Sequence, residues 1–205
     1  MTLPTATTTL TVRKATGDDR SALVDTNTLV FHDDPVFTWW VPDPYQRPQI
    51  LRAFFEIVVD AYQPHDELWV TEPDPISTAI WVPPGCQPSG DEGEQMVGSL
   101  VTAAAETADR LLTALELMEE QHPDDSHAYL FFLATLPQWQ SRGIGSALMR
   151  EVLDRCDRDG IPAYLEATTL DSQRLYLRHG FEVTGEIRLP DGPSMWPMWR
   201  EPASD

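Results

Sequence analysis

Ala128-Tyr129-Leu130-Phe131-Phe132-Leu133-Ala134-Thr135-Leu136 runs through Pro137-Gln138-Trp139 into Gln140-Ser141-Arg142-Gly143-Ile144-Gly145-Ser146. The first stretch is nearly continuous apolar sequence, as expected of a central strand buried on both faces. From Gly143 to Asp159, Ile144, Leu148, Val152 and Cys156 fall on one helical stripe, and Gly160 supplies a stop. Ala163-Tyr164-Leu165-Glu166-Ala167 then reads as another strand. Residues 128 to 167 therefore form a strand, crossover helix, strand unit, which places the chain in the α/β (α+β) class.

Upstream of this unit, Thr9 to Arg13 alternates like a half-buried strand, and Asp18 or Asp19 caps a helix carrying Leu23, Val24 and Leu29. Asp33-Asp34-Pro35 and Pro42-Asp43-Pro44 interrupt, and a second helix follows with Ile50, Leu51, Phe54, Phe55, Val58 and Tyr62 at helical spacing. Leu68 to Thr71 and Thr78 to Val82 read as an antiparallel pair turned by Pro73-Asp74-Pro75. After a loop rich in proline, glycine and acids, Met96 to Gln121 is the longest helical region, with possible breaks. A short helix through Arg174-Leu175-Tyr176 ends at Gly180, and late strands Phe181 to Leu189 and Met195 to Arg200 flank the turn at residues 190–193. The expected architecture is a mixed, twisted sheet of about six to seven strands flanked by helices. Residues 1 to 8 read as a flexible leader, and residues 9 to 202 as a single domain.

The glycines after the buried strand have a physical purpose. Without Cβ atoms the backbone can turn tightly and approach a ligand, while the free N–H groups of a helix start favour an anion such as a pyrophosphate. A phosphate loop of the G-x-x-x-x-G-K-[ST] type is excluded, because the only lysine is Lys14. A dinucleotide fingerprint needs Gly or Ala where Leu148 stands, although Glu166 lies at a suitable distance downstream. The pattern that fits is Gln/Arg-x-x-Gly-x-Gly/Ala, matched by Gln140-Ser141-Arg142-Gly143-Ile144-Gly145.

With this loop the sequence resembles the GCN5-related N-acetyltransferase (GNAT) superfamily, whose order of elements matches most of the chain. Tyr164-Leu165-Glu166, Leu175 to Phe181 and the closing Trp196-Pro197-Met198-Trp199-Arg200 look most like its puromycin N-acetyltransferase group. The resemblance implies an enzyme that transfers an acetyl group from acetyl-CoA to the primary amine of a small molecule, an antibiotic or aminated metabolite, by direct attack in a ternary complex. A protein N-terminal or lysine acetyltransferase and a non-catalytic acyl-CoA-binding sensor are the alternatives. The resemblance further implies that main-chain groups of Gln140, Ser141, Gly143, Ile144, Gly145 and Ser146 hold the pyrophosphate. Leu133, Ala134 and Thr135 would hold the pantetheine arm and the acetyl carbonyl. Arg142 could add a phosphate contact.

Glu166 interrupts an otherwise apolar strand, where burial would raise its pKa, and similarity to the family suggests a general base. Tyr176 matches the tyrosine that protonates the leaving thiolate in many relatives; a core tyrosine with a bonded hydroxyl is the plainer reading. Relatives often carry a cofactor-contacting Asn before that tyrosine, whereas residues 168–174 contain none, so Ser172 or Gln173 is the expected substitute. Trp39, Trp40, Tyr62, Trp69 and Trp81 could line an aromatic acceptor pocket, although core packing is the plainer reading of each, and Asp33 and Asp34 could receive a cationic amine, although Asp before Pro is also routine turn chemistry.

Composition bounds the partners. Lys and Arg number 14 against 33 Asp and Glu, a net charge of −19 in 205 residues, which disfavours nucleic acid. Between Arg142 and Arg178, however, arginines and acids balance, leaving that segment tolerant of a polyanion. The two cysteines lack C-x-x-C spacing and the histidines lack metal-ligand spacing, so neither a disulfide framework nor a metal is expected. No basic leader or long apolar run is present, which points to a cytoplasmic protein without membrane attachment; its assembly is expected to be a monomer or homodimer.

Overall fold

The computed structural model describes residues 10–203. The proposed leader and Thr9, where the first strand was expected to begin, lie outside the described residues. The strands are β1 (Thr11–Lys14), β2 (Leu68–Glu72), β3 (Ser77–Val82), β4 (Ala128–Thr135), β5 (Ala163–Ala167), β6 (Glu182–Val183), β7 (Ile187–Arg188) and β8 (Ser194–Arg200). The helices are α1 (Arg20–Phe31), α2 (Pro35–Trp40), α3 (Arg47–Tyr62), α4 (Gly90–Ala104), α5 (Ala108–Glu119), α6 (Ile144–Asp159) and α7 (Leu170–Leu177). The strands form one mixed sheet in the order β1-β2-β3-β4-β5-β8-β6, with β7 also paired to β8. β4 and β5 are parallel, joined by α6, and the other pairs are antiparallel.

The two faces of the sheet are covered by different helices, and each stripe of apolar residues dictates its partner. Leu23 and Val24 of α1 and Leu51, Phe55 and Val58 of α3 pack with Val70, Ile80 and Tyr129 on one face. Leu148, Met149, Val152 and Cys156 of α6 pack with Trp81, Leu130 and Leu165 on the other. Asn27 is fully buried on α1; its Nδ2 donates to the Leu23 carbonyl (2.8 Å) and to Thr78 Oγ1 (3.0 Å), whereas its Oδ1 is buried without a partner.

Three boundaries differ from expectation for local reasons. Asp34-Pro35 starts a helix: Asp34 caps α2 by accepting from Val36 N at 2.8 Å, with Pro35 at the first helical position. The long helical region starts at Gly90 rather than Met96, and the break allowed for within it falls at Ala105, whose φ is 48°. The strand expected over residues 181–189 splits into β6 and β7. The break faces Pro197, whose carbonyl accepts from Thr184 N (2.9 Å) but which has no N–H to give back.

Candidate functional site

β4 pairs with β5 only at Ala128↔Ala163 and Tyr129↔Tyr164, after which the two strands diverge. A cavity of about 740 Å³ occupies the opening. One of its ends is the loop after β4. Ser141 (φ 59°) and Gly143 (φ 79°) both adopt left-handed conformations there, and Gly143 serves as N-cap of α6 without any side-chain cap. The first bond of α6 runs from Ala147 N to Gly143 O (3.0 Å), so the N–H groups of Ile144, Gly145 and Ser146 precede the helical ladder. Gly143, Ile144, Gly145 and Ser146 all line the cavity. Gln140 braces the loop through Nε2 to the Thr135 carbonyl (3.0 Å), and His179 Nε2 meets Ser146 Oγ at 2.9 Å.

Glu166 lies at the waist of the cavity. Its Oε2 accepts from the Tyr129 hydroxyl at 2.8 Å, whereas Oε1 is buried without a partner. Burial pushes its pKa up to about 7, against the opposing effects of Tyr129 and Tyr164. The Tyr164 hydroxyl faces the same carboxyl without reaching hydrogen-bond geometry. The His122 ring backs both tyrosines, at 5.1 Å from Tyr129 and 4.9 Å from Tyr164, and burial holds its pKa down at about 4. His122 is therefore neutral near pH 7, which leaves Glu166 as the group that titrates at this end of the site.

Tyr176, on α7, also lines the waist and is 7% exposed. Burial, and after it the neighbouring Asp34 charge, raise its phenol above the ordinary value, so it remains protonated. Asp34 is itself tied down, because in addition to capping α2 it accepts from Thr168 Oγ1 at 2.5 Å. Its carboxyl is pushed upward by burial.

The other sequence-selected residues divide. Leu133, Thr135, Gln140, Ser141 and Ser172 line the cavity with the loop, Ser172 being held in a reciprocal cap with Thr169. Ala134 is fully buried, and its carbonyl accepts from Ser77 Oγ at 2.6 Å, so it contributes structure at that oxygen. Arg142 stacks over Trp139, 4.9 Å from the ring centre, rather than facing inward. Trp81 does not reach the acceptor space: it is 1% exposed beneath α6, on the opposite face of the sheet from Tyr129. Trp39 is a strut, donating from Nε1 to the Pro190 carbonyl at 2.9 Å with the Arg110 guanidinium 5.5 Å over its ring. Tyr129 and Thr168 were not anticipated as site residues. Tyr129 becomes legible only once the Tyr129↔Tyr164 register sets it diagonally from Glu166.

The model of the acetyltransferase (GNAT) family matches residues 38–181, a span holding the splayed strands, the glycine loop, Glu166 and Tyr176. The chain belongs to this family. Its fold is that of the GNAT proteins, a mixed sheet flanked by helices. A Corynebacterium glutamicum structure described as histone acetyltransferase HPA2 and related acetyltransferase is 30% identical, with a TM-score of 0.71 over 96% of this chain and 98% of the other. The polyamine N-acetyltransferase of Drosophila melanogaster shares the fold at 16% identity, with a TM-score of 0.65 over 94% of this chain and all of that one (100%). Among curated proteins, the mycothiol acetyltransferase of Brachybacterium faecium is 39% identical over 33% of this chain. The L-amino acid N-acetyltransferase of Escherichia coli is 33% identical over 32% of it. The chain spans only 21% and 43% of the lengths of these two relatives. Among the described residues, no helix is long and apolar enough to cross a membrane.

Proposed function

We propose that this GNAT chain is an acetyl-CoA-dependent N-acetyltransferase acting on the primary amine of a small molecule, by direct attack within a ternary complex. The observation that supports this reading best is a single cavity touching both the free N–H groups ahead of α6 and an ionisable waist of Glu166 and Tyr176. The loop fits a diphosphate on its own chemistry, since its main-chain donors are unspent by the helix and its left-handed turn at Gly143 has open space beyond. Acetyl-CoA, when bound, supplies an activated acyl group and a thiolate leaving group. Glu166, with a free oxygen and a pKa near neutrality, takes the proton of the attacking amine, directly or through water. Tyr176 keeps its proton for the leaving sulfur. Main-chain groups of β4 beyond Tyr129, left unpaired by β5, orient the acyl arm. The proposal extends to membership of the puromycin-modifying group, one domain over residues 9–202 and a bacterial cytoplasmic setting.

The test is release of free thiol from acetyl-CoA over a panel of amines, with Glu166→Gln and Tyr176→Phe alongside. Both variants should bind CoA as the wild type does and lose turnover. Wild-type rates in both would overturn the assigned roles. Thermal stabilisation by CoA with no thiol release on any amine or peptide would make the chain a sensor instead.

A further inference from the structure

The cavity changes character along its length. Besides the polar loop and the ionisable Glu166–Tyr176 pair, the cavity has an apolar compartment to whose wall α5 contributes. Leu111, Ala114, Leu115 and Met118 fall at i, i+3, i+4 and i+7 and all line the cavity, facing Met195 of β8 and Trp40 of α2. The stripe packs into the core, with Leu111 and Ala114 buried, and also presents an apolar surface to the cavity. The compartment is braced by a satellite core in which Ala114 and Met195 join Ile187 and Leu189, with Trp39 and Met118 packed against them. The brace is tight: a Cβ on Gly192 would lie 2.5 Å from the Trp39 ring.

Charge is absent from that wall. Among the described residues lining the cavity, Arg178 is the one Lys or Arg, and it is the C-cap residue of α7, its guanidinium donating to the Arg174 carbonyl at 3.1 Å. The acids are Glu166 and Asp34 at the waist, Asp33 beside Asp34, and Asp171 at the start of α7. A substrate carboxylate, or a second ammonium, carried into the α5 compartment would be desolvated without a counter-charge, which is expensive. An ammonium at Glu166 followed by an apolar tail meets no such cost.

Resting on the acetyltransferase reading above, we infer that the acceptor is a lipophilic primary amine with a single cationic centre, its tail seated between α5 and β8. This separates the chain from the amino acids and polyamines named for two of its relatives.

The experiment is a steady-state series on the full chain with n-butylamine through n-octylamine, phenethylamine, putrescine, spermidine and L-alanine, preceded by calorimetry with CoA. Each added methylene should raise kcat/KM about fourfold until the compartment is full, and putrescine and L-alanine should fall at least a hundredfold below the best alkylamine. Met118→Glu should flatten the chain-length slope and improve putrescine relative to hexylamine, with CoA affinity unchanged. If CoA binds but kcat/KM is independent of chain length, or putrescine, spermidine or L-alanine is preferred, or no alkylamine is acetylated, the inference is overturned while the cofactor site stands. Failure to bind CoA would instead remove the reading on which it rests.

Discussion

The two edges of β4 meet opposite fates. Toward β3 it stays in register from Ser77↔Thr135 to Val82↔Tyr129, interrupted by one irregularity between Ile80 and Trp81. Toward β5 it is paired only at Ala128 and Tyr129 before the strands part. One edge is finished by backbone hydrogen bonds and side-chain packing; the other leaves main-chain groups and a buried carboxylate open to a cavity. Stability and chemistry are thereby assigned to opposite sides of one strand, and substitutions on the two sides should separate cleanly.

The largest effect is expected on the sealed side. Trp81→Ala removes an indole that is 1% exposed between the sheet and α6 and should cost about 4 kcal/mol of stability. Denaturant unfolding should show that loss, while CoA affinity of the folded fraction remains that of the wild type. A weakened CoA affinity at unchanged stability would dissolve the distinction between the edges.

On the open side, Glu166→Gln should lower kcat/KM by about a hundredfold, the scale of one lost general base. The wild-type rate should climb with pH through about 7, where Glu166 ionises, and the variant should lack that limb. The same variant tests stability with the opposite sign. A folded-state pKa of about 7 against the ordinary 4.5 means that the folded protein binds more protons between those limits, so wild-type stability falls as pH rises through them. The full shift corresponds to about 3 kcal/mol, and the opening to the cavity reduces the expectation to about 2 kcal/mol. Thermal melts should therefore show Glu166→Gln gaining on the wild type from pH 4 to pH 8; a constant gap would mean that Glu166 ionises as an exposed carboxylate does.

The open side was also the more legible in sequence, because its devices are local. An acid inside an apolar strand and glycines between a strand and a helix carry their signals within a few residues. The acceptor walls do not. Leu111, Ala114, Leu115 and Met118 form an ordinary amphipathic stripe, and only the tertiary arrangement leaves it facing a cavity. Trp39 and Trp81 illustrate the converse, since tryptophan suits a ligand pocket and a core equally; Trp81 is decided by the face of the sheet it joins and Trp39 by its bond to the Pro190 carbonyl. Asp34-Pro35 carried a cap signal that reads equally as a break; the difference is the Thr168 hydroxyl that secures Asp34 from the other end of the chain.

The glycine loop allows the finest cut. Gly143 sits at φ 79°, and a Cβ placed on it would meet no atom within 4 Å, so Gly143→Ala should lose about 1 kcal/mol through backbone strain alone and weaken CoA binding as the cap relaxes. Gly145 is the reverse case: its φ is unexceptional, and a Cβ there would lie 3.5 Å from Leu133 Cδ2 and 3.7 Å from both Leu175 Cδ2 and Thr135 Oγ1, ordinary contact distances. Gly145→Ala should therefore change stability by less than about 0.5 kcal/mol, the gain in helix propensity offsetting a slight crowding. Any loss of CoA affinity in Gly145→Ala that is unaccompanied by a loss of stability then reports the space a bound diphosphate requires at the start of α6. Equal stability losses in the two variants would show that strain at the cap does not distinguish these positions.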